Sequence, residues 1–113
     1  MLGFLLIAWA SPLGAGESLA IKVSPAMALA PATLFVRARI EPHADNRSVE
    51  VVVDSEEFYR SSQVQLEGDQ APVMTLFELR GLPRGRYVLT TKLYGPSGQI
   101  RSIVRYIVNV VSP

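Results

Sequence analysis

The stretch "ATLFVRARIEP", residues 32–42, constrains this chain most. Leu34, Val36, Ala38 and Ile40 fall on one side of an extended backbone, and Arg37, Arg39 and Glu41 on the other. Successive side chains of a strand point to opposite faces, so this alternation calls for a strand with one face buried and the other in water. The same period returns along the chain. "SLAIKV" aligns Leu19, Ile21 and Val23, "VEVVVD" aligns Val49, Val51 and Val53, and "RYVLTTKLY" aligns Tyr87, Leu89, Thr91 and Leu93. In "VMTLFELRGL", Phe77 and Leu79 alternate with Glu78 and Arg80, and in "SEEFYRSSQVQL" Val64 and Leu66 form the inward pair. The last strand, "QIRSIVRYIVNVV", turns Val104, Tyr106, Val108 and Val110 inward.

Between these segments lie turn clusters: "HADNRS", "EGDQAP" and the hairpin connection Gly95-Pro96-Ser97-Gly98. "SPAMALAP" interrupts the first strand. Pro25 and Pro31 remove two ladder donors there, which an edge strand tolerates. Short strands at near-regular spacing, without helical periodicity, predict an all-β fold: an antiparallel two-sheet Greek-key sandwich of about seven strands.

The N-terminus reads "MLGFLLIAWASPLGAGES". Its apolar run, Leu2 to Ala10, is shorter than the about 20 residues a membrane-spanning helix needs. Followed by Pro12 and the small residues Gly14, Ala15 and Gly16, it reads as a secretory signal over residues 1–16, with cleavage after Ala20 as an alternative. No Lys or Arg precedes the run, and an N-terminal strand or an uncleaved anchor are the other readings of it. The expected product is one domain over residues 17–113, periplasmic, extracellular or held at a cell surface, with no integral membrane span. The chain has no cysteine, which excludes disulfides, thiol nucleophiles and thiolate metal sites. Eleven basic and ten acidic residues are interspersed, so no excess of positive charge points to nucleic acid or an anionic membrane.

In "LPRGRYVLT", Pro83 fixes a turn φ, Gly85 is free to take positive φ, and Leu82 plugs the core beneath the turn. Tyr87 then opens a strand on its inward face. A tyrosine placed so, just after a crossing between sheets, packs its ring on the core and bonds its hydroxyl back to the crossing backbone. Leu82, Pro83, Gly85 and Tyr87 therefore read as a tyrosine corner.

With that corner, "FELRGLPRGRYVLTTKLYGPSGQ" resembles the E-F-G region of immunoglobulin-like and fibronectin type III-like modules of bacterial exported proteins. "VSPAMALAPATLFVRARIEP" resembles their A-B region, where a proline-broken first strand precedes an alternating second. Prealbumin-like modules of carboxypeptidase regulatory and collagen-adhesin B type share the Leu-Pro-x-Gly-x-Tyr turn. This chain lacks their glycine-marked hairpin upstream of Phe77. Related adhesin domains join a Lys and an Asn on their first and last strands; here Lys22 and Asn109 would have to pair, and the alternation turns both outward.

No constellation of reactive groups assembles in the sequence. His43 with Asp45 lacks the further ligands a zinc site needs, and nearby Ser48 has no nucleophile-elbow motif around it. Asp54, Glu56 and Glu57 match no calcium-loop spacing, and Asn46-Arg47-Ser48 fits the glycosylation acceptor pattern. No catalytic, cofactor-binding or metal-ligating residue is assigned and no cofactor is expected. The surface is more informative. If the "VEVVVD" strand shares a sheet with the last two strands, its outer face gathers Val52, Val88, Lys92, Tyr94, Ile103, Arg105 and Ile107. An apolar patch on an outward face points to a partner, either another protein or a second copy. A bulge that reversed the parity of the last strand would instead bury Ile103 and Ile107. The loops at His43–Arg47 and Gly95–Gly98 are a further place for contact. The sequence thus predicts a non-enzymatic, immunoglobulin-like module acting in protein binding or scaffolding. A small secreted hydrolase or metal-dependent enzyme, or a subunit joining by an edge strand, are the alternatives.

Overall fold

The computed structural model describes residues 18–113. The expected signal, residues 1–16, lies outside the described residues. From Ser18 on, the chain is all-β in two sheets. Its strands are Leu19–Ser24 (β1), Met27–Leu29 (β2), Ala32–Ile40 (β3), Ser48–Asp54 (β4), Tyr59–Gln65 (β5), Met74–Leu82 (β6), Gly85–Tyr94 (β7) and Ile100–Val111 (β8). A single 3-10 turn, Gly68–Gln70, sits between β5 and β6. One sheet has the order β1-β3-β6 and the other β2-β8-β7-β4-β5.

Period two decides what is buried. Leu34, Val36, Ala38 and Ile40 of β3, Phe77 and Leu79 of β6, Val49, Val51 and Val53 of β4, and Tyr87, Leu89 and Leu93 of β7 make the core between the sheets. Each buried aliphatic side chain in such a core contributes roughly 1.5–3 kcal/mol relative to exposure. Thr91 keeps the same parity and is fully buried, and its hydroxyl finds no hydrogen-bond partner among the described residues.

The structure corrects the expected strand count and pairing. The first strand is two strands in different sheets: β1 pairs antiparallel with β3, whereas β2 runs parallel to β8, with Met27 beside Asn109 and Leu29 beside Val111. Two prolines bracket β2 and deny the chain a continuous ladder, so it leaves one sheet edge and joins the edge of the other. Val64 was expected inside and is 37% exposed. It lies on β5, the edge strand of the five-stranded sheet, whose only neighbour in that sheet among the described residues is β4. Tyr106 has inward parity yet stays 41% exposed, its hydroxyl donating to the Ile21 carbonyl (2.8 Å).

Each end of the molecule is tied by one buried polar side chain. At one end the Tyr87 hydroxyl donates to the Pro83 carbonyl (2.7 Å), and its ring meets the edge of Phe58 at 6.2 Å and 81°. Leu82 is fully buried beside it. Gly81, rather than Gly85, takes the positive φ, +70°. Gly85 packs against Ser55 and the Tyr87 ring: a Cβ there would lie 3.4 Å from the Ser55 side chain, in close contact. At the other end Asn46, 1% exposed, donates from Nδ2 to the Glu41 carbonyl (3.0 Å) and accepts at Oδ1 from Arg101 Nη1. Its backbone carbonyl accepts from the Gly68 N–H (3.0 Å). Gly68 has φ +59°, and a Cβ there would sit 2.9 Å from the Ala44 carbonyl oxygen.

Candidate functional site

The five-stranded sheet positions the candidate surface. Register sets Val52 beside Thr90, Glu50 beside Lys92 and Asp54 beside Val88 across β4 and β7. Across β7 and β8 it sets Val88 beside Ile107, Thr90 beside Arg105 and Lys92 beside Ile103. Val52, Val88, Lys92, Tyr94, Ile103, Arg105 and Ile107 therefore share the outer face of one sheet. Val52, Val88, Lys92, Tyr94 and Ile103 are half-buried, whereas Arg105 and Ile107 are exposed.

A bulge does occur in β8, between the pairs Leu93–Ser102 and Tyr94–Ile100. It precedes Ile103, so it leaves Ile103 and Ile107 outward. Bulges re-aim side chains, and this one accompanies the reach of Arg101 to Asn46.

The face has a fixed electrostatic pattern. The Tyr94 hydroxyl donates to Glu50 Oε1 (2.8 Å). Burial, and then the bond to Glu50 and the charge of that carboxylate, push the Tyr94 phenol above its ordinary value. This bond occupies one carboxylate oxygen of Glu50, which stands opposite Lys92. Among the described residues neither Lys92 nor Arg105 enters an ion pair. A shallow groove of about 340 Å³ runs across the strands, lined by Val52, Val88, Asp54, Tyr59, Lys92 and Arg105 among others.

The reactive-looking residues stay apart. His43 is an exposed loop residue whose Nδ1 accepts the Asp45 N–H (3.0 Å), a local turn. Asp54, Glu56 and Glu57 surround the turn closed by the Ser55 N–H on the Phe58 carbonyl (2.8 Å), and Glu56 and Glu57 are exposed. Lys22 and Asn109 belong to different sheets: Lys22 pairs with Arg37, and Asn109 lies between Met27 and Arg86. The glycosylation pattern falls on a buried amide already bonded to the Glu41 carbonyl. Among the described residues no helix is long and apolar enough to cross a membrane.

One surface escaped the sequence reading: the outer face of the three-stranded sheet. Phe35, Met74 and Leu76 are exposed there beside Lys22, Arg37 and Arg39. The outward set of β3 was visible in "ATLFVRARI". What sets Met74 and Leu76 beside it is the pairing of β3 with β6, a long-range register that period alone does not supply.

No protein-family model and no curated protein sequence matches the chain. Solved structures do. The superoxide reductase (neelaredoxin) from Ignicoccus hospitalis matches with a TM-score of 0.66 at 20% identity, over 82% of this chain and 80% of that one. Two point variants of the same protein match with TM-scores of 0.66 and 0.65, also at 20% identity. The chain thus has the fold of these superoxide reductases. This corrects the resemblance to immunoglobulin-like and fibronectin type III-like modules, which share its period-two strands and tyrosine turn. It also overturns the expectation of a non-enzymatic binding or scaffolding module, since the matching fold carries an oxidoreductase. Reduction of superoxide is one-electron chemistry of the kind carried by metal centres with imidazole, thiolate or carboxylate ligands. This chain has one histidine and no cysteine. Among the described residues no group of three or more His, Cys, Asp or Glu stands where it could hold a metal ion. The described residues do not fit such a centre.

Proposed function

We propose that this chain works as a self-pairing subunit on the superoxide reductase fold, two copies meeting through the outer faces of their five-stranded sheets. The observation that carries this reading is the order of charge across that face. Glu50 and Asp54 stand on β4, and Lys92 and Arg105 on β7 and β8, with Val52, Val88, Ile103 and Ile107 among them. Because β7 lies between β4 and β8, a two-fold axis along β7 lays β4 of one copy over β8 of the other. Arg105, level with Val52, then lies between Glu50 and Asp54 of the other copy, twice by symmetry, while Val88, Thr90 and Lys92 of β7 face their own copies along the axis.

Two further readings belong with this one. The crossings of the chain between sheets after β1, β2, β3, β5 and β6 support a Greek-key arrangement. The apolar run at residues 2–10 and the cysteine-free composition support export, with residues 1–16 as the signal. Mass spectrometry of secreted material checks export: a chain starting at Glu17 is expected, and retention of residues 1–16 contradicts it.

Sedimentation velocity over a concentration series tests the pairing. The expected result is a shift from one chain mass to two, lost in Ile107→Lys. A single chain mass at every concentration contradicts it.

A further inference from the structure

We propose that the outer face of the three-stranded sheet is a docking surface for an acidic, apolar segment of another protein. It goes beyond the self-pairing reading and uses the opposite side of the molecule. On this face Lys22 stands directly opposite Arg37, and Arg39 lies two residues further along the same strand. Like charges placed opposite each other destabilise a sheet. The cost stays unrelieved within the strands, because the carboxylate of this face, Glu78, is bound to Arg80 Nε at 2.6 Å.

Apolar surface interleaves with the charge. Leu76 pairs with Arg37 and Met74 with Arg39 across β3 and β6, and Leu76 and Met74 are 59% and 50% exposed. Lys22, Phe35, Arg37 and Leu76 line a depression of about 430 Å³. Beyond them β6 is the outer strand of its sheet among the described residues, an edge of the kind that accepts an extended chain, although its Arg80 carbonyl already accepts from Arg60. A carboxylate laid between Lys22 and Arg37 removes their repulsion, and an apolar side chain beside it covers Phe35 and Leu76.

The alternatives fit less well. A second copy applied face to face repeats the like charges. The chain's own apolar run, residues 2–10, carries no charge to answer them. Clusters that recognise anionic lipid carry about four to eight basic residues, whereas only three among the described residues stand unpaired here, because the fourth, Arg80, is bound to Glu78.

Fluorescence anisotropy tests the proposal with two labelled peptides, one alternating Glu with Leu and one alternating Gln with Leu. Vesicles of phosphatidylglycerol and phosphatidylcholine are assayed in parallel. The chain is expected to bind the Glu/Leu peptide, with affinity falling roughly tenfold in Arg37→Glu and in Leu76→Ser. Val88→Ser, on the other sheet, is expected to bind as the parent does. Arg37→Glu gives Lys22 an opposite charge, so its thermal midpoint should hold or rise while binding falls. A purely structural role for Arg37 would move both together. Equal binding by Arg37→Glu, equal binding of the Gln/Leu peptide, or binding to vesicles but not to peptide would each overturn the proposal. Failure of self-pairing would leave every one of these readouts unchanged.

Discussion

On the five-stranded sheet Glu50 stands opposite Lys92 across β4 and β7, while on the three-stranded sheet Lys22 stands opposite Arg37 across β1 and β3. Both faces follow the same period and both expose apolar side chains among charges. They differ in what would complete them. A face bearing both signs, ordered across its strands, can be satisfied by its own rotated copy. A face whose free charges share one sign calls for chemistry that the chain does not supply. Patches with similar apolar content can thus call for different partners, and charge order separates them.

Both faces hang on one frame, and loosening it is the strongest way to break the comparison. Asn46→Ala unties Arg101 and the Glu41 carbonyl, and leaves only the main-chain bond from Gly68 to hold the turn. We expect a loss of about 1–3 kcal/mol, read as a thermal midpoint lower by several degrees, with both faces weakened together. Tyr87→Phe, at the other end, removes one bond to the Pro83 carbonyl and should cost about 1 kcal/mol. Burial holds the Tyr87 phenol above its ordinary value, against smaller opposing pulls from Ser55 and the Arg60 charge. Its contribution is therefore complete below the unfolded phenol value of about 10 and is lost as pH rises through the higher folded value. Denaturant titrations between neutral and strongly alkaline pH should show a decline that Tyr87→Phe makes shallower.

Smaller effects sharpen the contrast between faces. Glu50→Lys creates on the five-stranded sheet the like-charge pair that Arg37→Glu removes from the other. Opposite changes of about 0.2–1 kcal/mol are expected in thermal unfolding, with Glu50→Lys the larger because it also takes the acceptor from Tyr94. The least effect is expected from salt. Raising ionic strength should weaken peptide binding at Arg37 more than self-pairing, because exposed charge is screened and apolar contact is not. Equal salt slopes for both would erase the distinction.

How much of this was legible depends on the range of the signal. The inward set of β3, β4 and β7 follows from alternation within single strands. The fastening position of Tyr87 is written within a few residues, in "LPRGRY". Asn46 carried no such mark, because its partner Arg101 is 55 residues away and is presented by a bulge. The switch from β1 to β2 was half visible: the prolines marked a break, but not a change of sheet. Val64 had the right parity and the wrong setting, since exposure at an edge depends on what lies across the sandwich. The outer face of the five-stranded sheet could be drawn once β4, β7 and β8 were taken as neighbours, whereas the other face needed the β3–β6 register. The family resemblance failed for the same reason, because period-two strands and a tyrosine turn recur across sandwiches with different chemistry.

The self-pairing of the five-stranded face is tested most directly by splitting its charges between two variants. Glu50→Arg with Asp54→Arg leaves that face basic, and Lys92→Glu with Arg105→Glu leaves it acidic. Light scattering is expected to find each variant alone at the mass of one chain, and their equimolar mixture at the mass of two. A mixture that stays at one chain mass, or a variant that pairs alone as the parent does, would contradict the account.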